Sequence, residues 1–131
     1  MGKLPGGKPI NGLDVTGKNE EYPEGQEGMF MRDEHFQTVA FLAKSLSDEN
    51  RLRIIFCVSC GKKSVSSIVE ELGLSQPLVS HHLKELKRSL LVKIERNGPF
   101  IYYELADDRI LDVVKTLSIV ATDLLTARKT F

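Results

Sequence analysis

The chain has 131 residues, which suits one domain with a modest core plus a terminal extension. Its 18 Lys and Arg residues balance its 18 Asp and Glu residues, and a formal net charge of zero argues against a generic polycation. The sequence has no run of about 18 apolar residues, and its N-terminus lacks an apolar signal-peptide core. We therefore predict a cytoplasmic protein that makes no contact with membranes.

The first part of the chain, residues 1–31, is rich in Gly, Pro, Lys and Glu and is predicted to be a flexible N-terminal tail. The remaining residues, 32–131, are predicted to form one domain. Asp33 is a candidate cap for a first helix and Asp48 for a second, because a short acidic side chain accepts the orphan amide protons of a first turn.

The most informative stretch follows a third helix, which begins at Ser64 or Ser66 and is predicted to end at Gly73. Glycine at that place can adopt the left-handed backbone that closes a helix. Ser75 can cap the next helix, and Pro77 fits its first turn, where a missing N–H costs little. Apolar residues then recur at helical spacing and predict a buried stripe of Leu78, Val79, Leu83 and Leu86.

The opposite face of this fourth helix carries side chains of the kind that hydrogen-bond base edges or phosphates. A helix N-terminus adds its own affinity for phosphate. Together these features predict a recognition helix that enters a DNA major groove; the alternative is an ordinary amphipathic helix with a polar outside. The polar face comprises Gln76, Ser80, His81, Lys84 and Lys87.

A β-hairpin is predicted directly after the recognition helix. Residues 90–96 alternate as a strand, 97–99 form a turn signal, and 100–105 are a second β-rich run. A helix-turn-helix followed by a hairpin is the winged-helix arrangement, and it places Lys93 and Arg96 where they can reach the DNA backbone. The alternative is a ribbon that only covers the core, and the two roles are compatible.

Charge is unevenly distributed along the chain. Residues 51–103 hold 9 Lys or Arg and 4 Asp or Glu, whereas residues 1–50 hold 5 and 9. The basic surplus coincides with the predicted DNA-reading region, and it favours double-stranded DNA as the partner over a protein–protein interaction module. Because no phosphate loop, metal-hydrolase His spacing or nucleophile elbow occurs, we predict no enzyme activity and no cofactor.

A final helix, begun by Asp107 or Asp108, carries an apolar surface that is broad for the edge of a small domain. This surface predicts a subunit interface shared with the first helix, and the alternative is burial within one subunit. A two-fold dimer would place two recognition helices about 34 Å apart on a palindromic site. The apolar residues are Ile110, Leu111, Val113, Val114, Leu117, Ile119, Val120, Ala121, Leu124 and Leu125.

Four segments are specific as a set: Ser47–Ile54, Leu74–Leu83, Leu91-Val92 and Tyr102–Leu105. Together they resemble the ArsR/SmtB family of winged-helix repressors, over roughly residues 33–125. The resemblance implies a mainly α fold with a small β-hairpin and a homodimer paired through its first and last helices. It also implies an operator-binding repressor that an inducer, unknown here, releases from DNA.

The resemblance and the position of each residue define a set expected to approach bases or phosphates. His81 is the better contact of the two adjacent histidines, because His82 is also suited to packing and hydrogen bonding. The full set is Ser75, Gln76, Pro77, Ser80, His81, His82, Lys84, Lys87 and, on the wing, Arg96.

Neither of the family's familiar metal sites is intact, so we predict no metal site. Its arsenic- and cadmium-type members carry Cys-Val-Cys where this chain has Ser-Val-Ser at 64–66, and hydroxyls replace thiolate ligands poorly. Its zinc- and nickel-type members use Asp and His on the last helix, where 107–127 contain no histidine. Cys57 and Cys60 remain, either as a redox or soft-metal sensor or, the interpretation we favour, as packing residues.

Overall fold

The structure is a computed structural model that describes residues 31–128. Nearly all of the predicted tail, 1–31, lies outside the described residues, and the boundary between tail and domain stays a prediction. By the contacts among its residues the chain divides between Phe41 and Leu42, and the winged-helix core lies in the part that begins at Leu42.

Helix α1 spans Asp33–Ser45. The prediction that Asp33 caps this helix is wrong, because Asp33 already lies within the first turn. Arg32 holds the cap position, since its carbonyl accepts from the main-chain N–H of Phe36 at 3.1 Å. The side chain that satisfies an end group here is His35, whose Nδ1 accepts from the N–H of Arg32 at 3.1 Å.

Helix α2 spans Glu49–Ser59 and is capped as the sequence predicts. Oδ1 of Asp48 accepts hydrogen bonds from the main-chain N–H groups of Asn50 at 2.8 Å and Arg51 at 3.0 Å. The bond from Arg51 is the main reason that the pKa of Asp48 lies below its usual value. These contacts satisfy two orphan donors of the first turn and fix where α2 begins.

Helix α3 spans Val65–Leu72. Of the two candidate serines, Ser64 is the cap, because its Oγ accepts from the N–H of Ser67 at 3.2 Å, whereas Ser66 lies inside the helix. Gly73 ends α3 with φ 67°, in the left-handed region that glycine enters at least cost. The chain can therefore turn sharply into the next helix, as a helix-turn-helix requires.

Helix α4 spans Gln76–Arg88 and begins as predicted. Oγ of Ser75 accepts from the N–H of Leu78 at 3.3 Å, and Pro77 stands in the first turn. Side chains of helices α2, α3 and α4 pack into one common core, and this packing orients α4 relative to α2 and α3. Its most deeply buried side chains are Ile54, Ile55, Val58, Ile68, Val79, Leu83 and Leu86.

Strands β1 (Val92–Asn97) and β2 (Phe100–Leu105) pair antiparallel around a two-residue loop at 98–99. Val92 lies opposite Leu105 at the base of the hairpin, and both are buried. The loop end is exposed. The hairpin is therefore held on the core at one end and projects at the other, as a wing does.

The first strand begins at Val92, two residues later than predicted. Leu90 has φ 67° and belongs to the end of α4. Its N–H donates to the carbonyl of Lys87 at 3.0 Å, and the N–H of Leu91 donates to the carbonyl of Leu86 at 2.9 Å. This pair of bonds is a Schellman motif, which ends a helix on a residue in the left-handed region.

Helix α5 spans Arg109–Ala127. Asp108 occupies its cap position but makes no side-chain cap bond, whereas Oδ1 of Asp107 accepts from the N–H of Arg109 at 2.9 Å. Hydrogen bonds from Arg109 lower the pKa of Asp107 to about 2. The fold is thus mainly α with a small β-hairpin, as predicted. Within residues 31–128 no helix has both the length and the apolar character needed to cross a membrane.

Candidate nucleic-acid interface

Helix α4 has one buried face and one exposed polar face. Val79, Leu83 and Leu86 are buried as predicted, while Leu78 is only half-buried. The buried side fixes the helix on the core, so the opposite side chains point outward together. The exposed side chains are those predicted for the polar face: Gln76, Ser80, His81, Lys84 and Lys87.

His82 does not belong to this exposed face, which corrects its place among the expected DNA contacts. Its side chain is only 6% exposed, and its ring nitrogens face Arg51 and Asp48 of the α2 end. Burial lowers the pKa of His82, against the opposing effect of the Asp48 carboxylate. The sequence carried the signal, because 79, 82, 83 and 86 follow the i, i+3, i+4, i+7 spacing of one helix face.

The first turn of α4 is exposed and polar. Ser75, Gln76 and Pro77 are all exposed there. The Ser75 hydroxyl accepts the capping bond and keeps its own proton to donate. A helix N-terminus also carries partial positive charge from its main-chain N–H groups, so this turn suits a phosphate.

The wing adds basic and aromatic groups. Arg96 and Lys93 on β1 are exposed, as predicted. Phe100, next to the loop, is 60% exposed, and its ring lies 6.4 Å from that of Tyr102. Sequence reasoning assigned Phe100 to a β-rich run without expecting this exposure, although its place beside the turn signal was available as a clue.

Basic residues near α4 and the wing fall into two groups. One group is paired with carboxylates: Arg88 with Glu85, Lys63 with Glu71, and Lys62 with Glu95 at 2.6 Å. In the other group, no salt bridge forms within the described part of the chain. That group comprises Lys84, Lys87, Lys93 and Arg96, and its charges remain available to an external anion such as phosphate.

Comparison with known proteins places the chain in a family. Residues 48–93 match the family described as bacterial regulatory protein, arsR family. Over 83 residues the chain is 34% identical to the HTH-type transcriptional regulator MJ1325 of Methanocaldococcus jannaschii, covering 63% of this chain and 93% of that protein. It is 32% identical over 87 residues to the arsenical resistance operon repressor of Staphylococcus aureus, covering 66% and 84%.

The chain belongs to the ArsR family. Solved structures agree with the fold: HlyU from Vibrio cholerae matches with a TM-score of 0.61 at 25% identity, covering 68% of this chain and 97% of that one. A homodimeric winged helix-turn-helix DNA-binding domain from Mycobacterium bovis matches with a TM-score of 0.61 at 23% identity, covering 79% and 91%. An ArsR-family chain with this fold is a winged-helix transcriptional regulator.

The segment 64–66, where the family resemblance predicts hydroxyls in place of thiolate ligands, forms a cluster of hydroxyls with Ser67. Oγ of Ser64 lies 3.2 Å from Oγ of Ser66 and donates to Oγ of Ser67 at 3.3 Å. In residues 31–128 no group of three or more His, Cys, Asp and Glu side chains is gathered closely enough to hold a metal ion. Of these hydroxyls, that of Ser64 caps α3.

The two cysteines have different surroundings. Cys60 is exposed, whereas Cys57 is buried and its thiol donates to Oε1 of Glu71 at 3.4 Å. The same carboxylate is paired with Lys63. Burial, assisted by Glu71, raises the pKa of Cys57 to about 11. A thiol with so high a pKa is a poor nucleophile and metal ligand, which favours the packing interpretation for Cys57.

Proposed function

We propose that this ArsR-family protein is a homodimeric repressor that binds a palindromic operator and leaves it when an inducer binds. The observation that carries the proposal is the exposed polar face of α4, held outward by its buried face. By its name, the S. aureus relative represses an arsenical resistance operon. A repressor of this kind acts in the cytoplasm, where the chromosome lies.

In the proposed complex, basic side chains bring the protein to DNA and α4 reads the major groove. Lys84 and Lys87 neutralise phosphates, which supplies affinity without regard to sequence. The amide of Gln76 suits the paired donor and acceptor of adenine, and the Ser80 hydroxyl can bond to several base edges. The remaining proposed contacts are the cap residue Ser75, Pro77 and His81 on α4, and Arg96 on the wing.

The proposed dimer pairs α5 with its symmetry mate. Four exposed apolar side chains recur at spacings of four, three and four residues, which is the pattern of a two-helix seam. The neighbouring Val114 is buried, so the same helix packs on its own core as well. On α1, considered by itself, Phe36, Val39 and Phe41 are also exposed. The four seam residues are Val113, Leu117, Val120 and Leu124.

A second candidate comes from another class, in which the winged helix serves protein–protein assembly. The cations on α4 and the wing that form no salt bridge within residues 31–128 favour DNA, because a protein partner would have to supply matching carboxylates. A thiol-sensing repressor stays an alternative within the first proposal, although the raised pKa of Cys57 disfavours it. In that alternative, oxidation of Cys57 and Cys60 would act as the inducing signal.

The test is fluorescence-anisotropy binding to the promoter DNA upstream of the protein's own coding sequence, against scrambled DNA of equal length. Specific binding supports the repressor, and loss of that binding on oxidation would favour the thiol alternative. Equal affinity for both DNAs would contradict a specific operator at this promoter. Absent DNA affinity with tight protein binding would establish the assembly module instead.

Side-chain variants distinguish residues that recognise bases from residues that contact the DNA backbone. Gln76→Ala or Ser80→Ala is expected to weaken specific binding about 10-fold while changing non-specific binding little. Lys84→Ala should weaken both and lower the salt slope by roughly 1. Lys115→Ala, an exposed lysine of α5 away from the seam, is the matched control and should change neither. Unchanged specificity in the first two variants would contradict the proposed reading surface.

A further inference from the structure

Arg51 is one guanidinium group that joins three helices. It stands on α2, and its Nε donates to the carbonyl of Ser45 at 2.6 Å, with Nη2 also directed at the carbonyl of Lys44 at 3.4 Å. Its Nη1 donates to Nδ1 of His82 on α4 at 3.4 Å. Because the guanidinium is planar and rigid, these contacts are made in one fixed geometry.

The hydrogen bonds from Arg51 satisfy main-chain carbonyl groups at the C-terminal end of α1. The last carbonyls of an α-helix have no partner within it, and the C-terminus carries partial negative charge. Arg51 supplies both donors and a positive charge to Lys44 and Ser45 in that last turn. The end of α1 is therefore tied to α2 by a charge-assisted contact rather than by packing alone.

The contact with His82 fixes the state of its ring. A guanidinium has only donors, so Nδ1 must be the acceptor and the ring proton lies on Nε2. Nε2 faces Oδ1 of Asp48 at 3.7 Å, and that carboxylate is itself held by the amides of α2. Both nitrogens of His82 therefore face groups of α2 or of its cap, although the ring belongs to α4.

This arrangement bears on DNA reading because His82 follows the reading residues Ser80 and His81 directly. The rings of His81 and His82 are 5.4 Å apart. The apolar contacts of Val79 and Leu83 favour burial of that face but are not directional, so they tolerate a small rotation of α4. A hydrogen bond to a buried ring is directional and resists such a rotation.

We propose that Arg51 is a positioning residue for DNA reading, which sets the rotation of α4 through His82 and couples that rotation to the last turn of α1. The inference rests on the proposed function, since it assigns a role to α4 as the reading helix. Arg51 itself makes no DNA contact in this proposal. Its effect is on specific binding, because only base contacts depend on the angle of α4 to within a fraction of a turn.

The test compares variants of the full chain on specific and scrambled DNA by anisotropy. Arg51→Met removes the donors and keeps most of the volume. Arg53→Met is its matched control on the same helix, because the exposed Arg53 bonds only to Glu49 and Asn50 among the described residues. His82→Leu removes the acceptor, whereas His82→Asn restores one, since its Oδ1 stands as many bonds from Cβ as Nδ1 does.

We expect Arg51→Met and His82→Leu each to weaken specific binding by about 10-fold and non-specific binding by less than about 3-fold. The double variant should bind specific DNA about as tightly as the single variant of lower affinity, because both substitutions remove the same contact. The specific DNA affinity of His82→Asn should stay within about 3-fold of that of the wild type. Arg53→Met should have the affinity of the wild type. Where Arg51→Met does not fold, Arg51→Lys replaces it, with charge but without the planar fork.

Three results would overturn the proposal. Specific affinity within about 3-fold of the wild type in both single variants would show that the contact does not position α4. A parallel fall of specific binding, non-specific binding and Tm would show a role in stability only. Equal weakness of His82→Asn and His82→Leu would show that the acceptor is not what matters. Failure of the proposed function is distinct, because the wild type itself would then show no preference between the two DNAs.

Discussion

At the scale of single residues, Leu90 is the clearest case of backbone strain. It is the only non-glycine residue with positive φ in the part of the chain that the structure describes, and it is 77% exposed. A left-handed conformation costs a residue with a Cβ roughly 1–2 kcal/mol, which glycine avoids. Glycine also lowers the free energy of unfolding by about 0.4–1 kcal/mol, because it makes the unfolded chain more flexible. Since the relief of strain is the larger effect, we expect Leu90→Gly to stabilise the protein by roughly 0.5–1 kcal/mol.

This gain corresponds to a rise in Tm of roughly 2–6 °C for a domain of this size, measured by thermal unfolding at fixed protein concentration. Lys87→Gly is the control, since Lys87 is exposed within α4 and glycine there should cost about 1 kcal/mol. If Leu90→Gly lowered Tm as Lys87→Gly does, the strain argument would fail and Leu90 would have a packing role that its exposure conceals.

At the scale of elements, α2 and α3 are linked by the thiol of Cys57, the carboxylate of Glu71 and the ammonium of Lys63. With a pKa of about 11, only about one Cys57 in a thousand is a thiolate at pH 8. Iodoacetamide at pH 8 should therefore modify Cys60 in the native protein and leave Cys57 intact. Mass spectrometry should count one modified thiol per chain, and two after unfolding in guanidinium chloride.

A Cys60→Ser variant sharpens this measurement, because any native modification must then come from Cys57. We expect almost none. Modification of Cys57 as fast as Cys60 in the wild type would mean that α2 and α3 open readily, and it would restore the thiol-sensing alternative. The pair would then need a test for a reversible disulfide.

Most element boundaries were predictable because they depend on local chemistry. Helix capping and termination depend on a side chain or glycine and the few residues next to it, and hardly on the rest of the fold. This holds for the caps at Asp48, Ser64 and Ser75 and for the helix end at Gly73. The apolar period then identified most of the buried stripe of α4. These signals sufficed for the helix-turn-helix and the presence of the hairpin.

The errors arose where residue type alone does not determine the local structure. Leu90 resembles a strand residue, but the core position of Leu91 and the bonds to Lys87 and Leu86 hold it in the left-handed region. Asp33 is a good cap by type, yet the end group of α1 is satisfied by His35 instead. The resemblance includes His82 among the DNA contacts, whereas the helical spacing of 79, 82, 83 and 86 indicates the buried face; its buried partners Arg51 and Asp48 lie too far along the chain for a local pattern to reveal them.

At the scale of the whole molecule, the proposed function joins two surfaces of opposite character. One is the cationic, polar surface of α4 and the wing, whose affinity for a single half-site is limited by the few phosphates it reaches. The other is the apolar seam of α5, which lets a second copy engage the second half-site without a second diffusional encounter. Loss of the seam should therefore weaken operator binding even though it touches no DNA.

The last prediction tests this coupling with two substitutions on α5. Leu117 belongs to the proposed seam and is 55% exposed, whereas Ile119 is 63% exposed but lies about 200° further around the helix. Leu117→Glu should convert the dimer to a monomer at about 10 μM in sedimentation equilibrium and weaken palindrome binding by roughly 10²-fold, because the apolar seam would have to bury a carboxylate from each copy. Ile119→Glu should leave both properties as in the wild type. Equal effects of the two substitutions, or a Leu117→Glu dimer of wild-type strength, would place the subunit interface on another surface.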